Sequence, residues 1–282
     1  MHVYCVMWGL FVLSGVCCNN CKPKCLSFET SKDLIVMSTN KLKIYGIIPA
    51  RLNSTRLPRK PLMYIHDKPM IQYVYENAAC SANLSEVIVA TDNEEIVQCV
   101  SDFGGKAVLT SSNHQSGTDR IAEVVEHLDV DYVINIQGDE PLMSPRAIDS
   151  LAAVLTENQD VSMITLITDL KEEDYHNPNC VKVVLDKHGY ALYFSRSLIP
   201  FPRTMGAFRP YKHLGIYGYS KKFLSTLTKL PKTPLEEVES LEQLRALENG
   251  YRIKCVHVEE DSIGVDTPED FERVCSLLRE VK

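Results

Sequence analysis

From residue 42 to about residue 165, short apolar runs alternate with segments whose apolar residues recur at helical spacing. The runs at residues 42–48, 86–90, 106–110 and 132–136 have strand length and predict strands. Between them, residues 70–80, 94–103, 118–127 and 145–157 predict helices, the second closed by Gly104-Gly105 and the last opened by Pro145. Alternation of this kind predicts parallel strands joined by right-handed crossovers. Past residue 160 the rhythm changes. Residues 162–167, 181–185, 191–194 and 214–219 predict strands with longer excursions between them, and Asp186-Lys187-His188-Gly189 predicts a hairpin turn. A helix over 235–249, a strand over 253–258 and a helix over 268–281 complete the pattern. The expected fold is α/β: a Rossmann-like, mainly parallel nucleotide-binding sheet, with an antiparallel insertion in the second half that covers one edge.

Composition narrows the class. With 282 residues, 45% of them apolar and 24% charged, the chain can bury a substantial core. A formal net charge of −7 argues against nucleic acid or an anionic membrane as partner, so any polyphosphate needs a local basic pocket. Five of the ten cysteines fall in the first 25 residues, and the others are scattered without metal-ligand spacing, as reduced thiols of a cytoplasmic protein are. Residues 3–16 are apolar but short for a membrane span, and no Lys or Arg precedes them. Met37 offers a simpler start. Residues 1–40 are therefore expected to be an extension (a misread start or a tail, with an anchor as the alternative) and residues 41–282 a single catalytic domain that needs no membrane.

Candidate chemistry begins at residues 47–62, IIPARLNSTRLPRKPL, where a predicted strand runs into a loop bearing Arg51, Arg56, Arg59 and Lys60. The loop lacks the Walker pattern, but guanidinium forks and an ammonium after a first strand suit a polyphosphate. The plainer alternative is a solvated basic loop. Asp139, in Gln137-Gly138-Asp139-Glu140-Pro141, follows a predicted strand and suits Mg²⁺; it can equally cap the helix near Pro145. Asp266, in Gly264-Val265-Asp266-Thr267-Pro268, has the same two readings. Ser116-Gly117 opens a helix and is open to capping or to base and phosphate contact. His213 and Tyr217, four apart on a predicted strand, share a face and, with Arg196 and Glu242, can line a site for a polyhydroxylated acid.

Taken together and in order, Pro49-Ala50-Arg51, Ser54-Thr55-Arg56-Leu57-Pro58, Lys60-Pro61-Leu62, His114-Gln115-Ser116-Gly117-Thr118, Gln137-Gly138-Asp139-Glu140-Pro141, Tyr193-Phe194-Ser195-Arg196, His213-Leu214-Gly215-Ile216-Tyr217, Leu241-Glu242-Gln243-Leu244-Arg245 and Val265-Asp266-Thr267-Pro268 closely resemble the 3-deoxy-manno-octulosonate cytidylyltransferase (CMP-Kdo synthetase) family. The resemblance runs from about residue 42 to the end. It implies transfer of CMP from CTP to the anomeric hydroxyl of Kdo for lipopolysaccharide biosynthesis, by a homodimer using Mg²⁺. It further implies that Arg51, Ser54, Arg56 and Lys60 hold the triphosphate and that Ala50 and Ser116-Gly117 contact the cytidine. Asp139 and Asp266 would hold the metal, and Gln137, Arg196, His213, Tyr217, Glu242 and Gln243 the sugar acid. Two departures stand out: Arg59, where the family usually has glycine, and a short segment over residues 201–212. The rival readings are a sialic-acid cytidylyltransferase and a nucleotide-sensing module without catalysis.

Overall fold

The computed structural model describes residues 42–52, 57–158, 160–204 and 209–280. The expected extension over residues 1–40, the alternative start at Met37, and the triphosphate candidates Ser54 and Arg56 lie outside the described residues.

In chain order the elements are β1 (Ile44–Ala50), a 3₁₀ turn (Lys60–Leu62), a small hairpin of β2 (Tyr64–Ile65) and β3 (Lys68–Pro69), α1 (Met70–Ala79), β4 (Glu86–Thr91), α2 (Glu94–Asp102), β5 (Ala107–Leu109), α3 (Gly117–Glu126), β6 (Tyr132–Asn135) and α4 (Pro145–Glu157). The second half adds β7 (Met163–Asp169), β8 (Lys182–Leu185), β9 (Ala191–Ser195), β10 (Tyr211–Ser220), α5 (Lys221–Leu227), α6 (Pro234–Glu239), α7 (Gln243–Glu248), β11 (Lys254–His257) and α8 (Pro268–Glu280). The main sheet runs β11-β7-β10-β6-β1-β4-β5, with β8 joined to β10 and β9 to β8. Pairs of β1 with β4 and β6, of β4 with β5 and of β7 with β11 are parallel; β10 is antiparallel to β6, β7 and β8.

The strands of the first half read as apolar runs because both faces of the sheet are covered. On one face Ile44 and Ile48 of β1 join Ile71 and Val74 of α1, Val100 of α2 and Ile148 and Leu151 of α4. On the other, Ile47 of β1 and Val133 of β6 join Ile121 and Val125 of α3 and Phe223 and Leu224 of α5. A smaller cluster of Leu57, Ile65, Met70, Val265 and Val274 ties the loop after β1 to α8.

Four features differ from the sequence-based expectation. First, β10 lies inside the sheet, between β6 and β7, so the antiparallel part passes through the middle instead of only covering an edge. Second, β1 extends through Pro49 to Ala50. Ile47 O accepts from Ile136 N at 3.0 Å, so alternate residues turn their backbone groups toward β6, and Pro49 comes after the last residue of β1 paired with β6. Its missing N–H therefore costs no ladder bond there. Third, the helix expected over 235–249 is two helices, α6 and α7, broken at Ser240, which is left-handed at φ 52°, ψ 49°. Glu239, at the break, accepts from Ser195 Oγ (2.6 Å) and Arg196 N (3.0 Å), and its carbonyl accepts from Arg196 Nε (2.7 Å). Those tertiary bonds outweigh local helix propensity. Fourth, α5 and the β2–β3 hairpin form where no element is expected.

Candidate active site

The chain ends of three distant segments meet at Lys60. Its ammonium donates to Asp139 Oδ2 at 2.6 Å, to the carbonyl of Val265 at 2.9 Å and to Asp266 Oδ1 at 3.4 Å. Asp139 stands just past the carboxyl end of β6, where ligands bind in open parallel sheets. Asp266 stands just before α8. A backbone bond from Val265 N to Asp139 O, 2.9 Å, joins the two segments directly.

The capping alternatives fall to other residues. Ser144 caps α4, accepting from Arg146 N at 3.2 Å. At α8, Thr267 Oγ1 accepts from Asp270 N at 3.2 Å, and Asp270 in return accepts from Thr267 N and Asp266 N at 2.9 and 3.1 Å. Neither Asp139 nor Asp266 carries those caps with its carboxylate.

A cavity of about 120 Å³ opens beside this cluster's strand, lined by Pro49, Gly117, Gln137, Tyr217, Glu242 and Gln243 among others. Glycine is required at two points around it. A Cβ on Gly117 would sit 3.2 Å from Pro49 Cγ, and one on Gly138 would sit 3.0 Å from the Pro49 carbonyl oxygen. Gln137 is fixed by donating to Gly215 O at 3.0 Å. Glu242, partly exposed on the wall, has its carboxyl pushed up by burial; the Thr118 hydroxyl, donating at 2.8 Å, and Arg245 pull the other way. Burial also raises the Tyr217 hydroxyl well above its ordinary range.

His213 does not line the cavity. It lies behind Tyr217, ring centroids 5.3 Å apart, and is buried. Thr165 Oγ1 spends its single proton on Ile216 O (2.7 Å) and Leu214 O (3.2 Å), so His213 Nε2, 2.9 Å away, must donate to it. That fixes the tautomer. Burial pushes the imidazole down to about 3. Arg196 is likewise outside the cavity. Besides Glu239, its guanidinium donates to Pro178 O and Ser240 O at 2.9 and 3.3 Å. It holds the corner from which Glu242 and Gln243 emerge.

Of the nucleotide candidates, Gly117 lines the cavity, and Ala50, Arg51 and Ser116 adjoin its lining residues Pro49 and Gly117 in sequence. Ala50 is buried at the end of β1, and Arg51 Nη2 donates to His114 O at 3.1 Å, tying that end to the segment before α3. Ser116 accepts from Asp119 N at 3.1 Å in a capping box. Glu140 was not singled out from the sequence. Its carboxyl is buried and raised to about 7, chiefly by desolvation, with a Ser262 hydroxyl and Lys212 opposing and Asp139 reinforcing. Its signal in the sequence is an acid between Asp139 and Pro141.

Among the described residues no three His, Cys, Asp or Glu side chains cluster as a closed metal site. Two carboxylates and the Val265 carbonyl do converge, which fits Mg²⁺, an ion usually held by one or two carboxylates with substrate phosphates completing its shell.

Crossover strands, a lysine between two carboxylates and a neighbouring polar cavity make an arrangement suited to nucleotidyl transfer. A family model described as cytidylyltransferase matches residues 45–254. The chain is 52% identical over 241 residues to the 3-deoxy-manno-octulosonate cytidylyltransferase of Fusobacterium nucleatum, an alignment covering 85% of this chain and 98% of that one. It is 53% identical over 241 residues to the enzyme of the same name from Thermodesulfovibrio yellowstonii, covering 80% of this chain and 94% of the other. The chain belongs to the 3-deoxy-manno-octulosonate cytidylyltransferase family. A solved CMP:2-keto-3-deoxy-manno-octonic acid synthetase complexed with CTP superposes with a TM-score of 0.82 at 43% identity, over 85% of this chain and all of that one. A Bacillus anthracis structure described as a putative glucose-1-phosphate thymidylyltransferase shares the fold alone, with a TM-score of 0.61 at 17% identity, over 85% of this chain and 96% of that one.

Proposed function

We propose that the chain transfers CMP from CTP to Kdo, forming CMP-Kdo and pyrophosphate, in the cytoplasm and for lipopolysaccharide biosynthesis. The observation that carries this reading is Lys60 within reach of both Asp139 and Asp266, beside a cavity walled by Gln137, Tyr217, Glu242 and Gln243. The anomeric oxygen of Kdo attacks the α-phosphorus, the bond to the β-phosphate breaks, and the hydroxyl proton is lost as pyrophosphate departs. Such transfer depends on in-line positioning and charge neutralisation more than on covalent catalysis.

Asp139 and Asp266 would hold Mg²⁺, which supplies charge neutralisation at the α-phosphate and favours the ionised form of the attacking hydroxyl. Arg51, Ser54, Arg56 and Lys60 bind the triphosphate, and Lys60 meets the charge that grows on the leaving pyrophosphate. Ala50 and the Ser116-Gly117 turn seat the cytidine. Gln137, Tyr217, Glu242 and Gln243 bind the sugar acid directly; His213 braces Tyr217, and Arg196 braces the corner carrying Glu242. Exposed Leu192 on β9 and Val238 on α6, with exposed Phe201, offer apolar area for a second copy, which supports a homodimer.

Pyrophosphate release from CTP with purified protein, Mg²⁺ and either Kdo or sialic acid tests the reading. Kdo-dependent release is expected. Release with sialic acid in preference to Kdo, or none with either, overturns it. CTP should also exceed UTP in kcat/KM by orders of magnitude, because a pocket that hydrogen-bonds the cytosine amino group leaves an unmatched polar group against uracil.

A further inference from the structure

Lys60 Nζ bonds to three oxygens, Asp139 Oδ2 (2.6 Å), Val265 O (2.9 Å) and Asp266 Oδ1 (3.4 Å). An ammonium has three donors and no acceptor, so this set satisfies it fully. The same three oxygens are the hard donors that a divalent cation seeks. Two cations cannot both sit against one pair of carboxylates at these distances without strong mutual repulsion. Lys60 also has a reason to leave. Its long stem is a flexible carrier of a point charge, and a triphosphate offers that charge more oxygens than two carboxylates do.

We propose that Lys60 and the divalent cation are exclusive occupants of the Asp139–Asp266 pair. Without nucleotide, Lys60 holds the two carboxylates in register and keeps the cation out. When CTP arrives, its phosphates draw Lys60 away, and the cation takes the vacated oxygens. Metal affinity is thereby coupled to nucleotide binding, and the coupling is reciprocal: whatever CTP adds to metal affinity, metal adds to CTP affinity. This rests on the nucleotidyl-transfer reading and adds to it an order of events, in which a cation alone is a poor ligand of the protein.

The test uses the full chain and Mn²⁺ as the probe, with bound metal read by electron paramagnetic resonance. Lys60→Met is expected to bind Mn²⁺ alone about tenfold or more tightly than wild type. Asp139→Asn should abolish that gain. Lys60→Gln is the second variant if the first does not fold. A direct readout comes from chemical labelling of the Lys60 amine in wild type without CTP: saturating Mg²⁺ should speed its acylation, since the amine is then displaced from its three oxygens. If Lys60→Met and Lys60→Gln bind Mn²⁺ no more tightly than wild type, or if Mg²⁺ leaves the labelling rate unchanged, the exchange is wrong. Wild type would still release pyrophosphate with CTP and Kdo in that case. Failure of wild type to release pyrophosphate would instead overturn the nucleotidyl-transfer reading, and the exchange with it.

Discussion

Arg59 holds a backbone conformation that few side chains adopt, at φ 59°, ψ 27°. That geometry accounts physically for glycine at this position in the resembled family, since only glycine enters the left-handed region freely. Arg59 is anchored instead by its guanidinium, 2.5 Å from Glu95 Oε2 on α2, and by its N–H on Leu52 O at 3.2 Å. The side-chain pair is exposed and screened by salt. Arg59→Gly should therefore raise the unfolding midpoint, and by more at 0.5 M than at low salt; a lower midpoint at both would show that the pair outweighs the strain. His213 supplies a pH signature. Its folded pKa, about 3, lies below the ordinary 6.5, so the unfolded chain binds the extra proton first. The stability it contributes is complete above pH 6.5 and declines toward pH 3, at about 1.4 kcal/mol per pH unit. In His213→Gln this component should vanish from urea unfolding measured between pH 4 and 7, leaving a flatter profile. At this scale the sequence is most readable where charge decides. Lys60, Asp139 and Asp266 declare their chemistry by residue type, whereas Glu140 becomes notable only once its burial is known.

Elements defined by local periodicity were largely legible, and those defined by distant bonds were not. Residues 235–249 carry mostly strong helix formers, and a single Ser240 among them does not announce a break. The break exists because Ser195 and Arg196, on and just after β9, capture Glu239 and Ser240. It is reinforced from within by Arg245, which is buried and grips Glu236 with bonds of 2.8 and 2.5 Å. Removing either grip should loosen the wall presented by Glu242 and Gln243. Arg196→Ala is expected to raise the KM for Kdo far more than that for CTP. Glu239→Ala should do the same although its side chain does not line the cavity. Steady-state kinetics with each substrate varied check both; a CTP-dominated effect would place the corner in the nucleotide site instead. The β10 strand offers the same lesson. Its sequence predicts a strand, but its place between β6 and β7 depends on a choice of neighbours that no local pattern encodes.

At the scale of the molecule, the parallel half was readable from alternation alone, and that half brings Asp139 to the carboxyl ends of the central strands, where Asp266 meets it. If the two carboxylates work as one metal-holding unit, Asp139→Asn and Asp266→Asn should each abolish most Mg²⁺-dependent turnover, with little change in thermal unfolding. The double variant should then be scarcely worse than either single one, as for residues acting together. Multiplicative losses would mean two separate roles. The pairing of Lys60 with Asp266 spans 206 positions of the chain. Val265 and Val274 pack with Leu57, Ile65 and Met70, closing α8 onto the segment that follows β1. Contacts of such long range are late and costly to close, and synthesis delivers the two ends at different times. A ribosome that has released the first ten strands holds a chain that still lacks β11, the Val265 carbonyl and Asp266. If Asp266 serves as proposed, activity should appear only once the last segment has emerged and docked, and a chain truncated before Asp266 should not consume CTP.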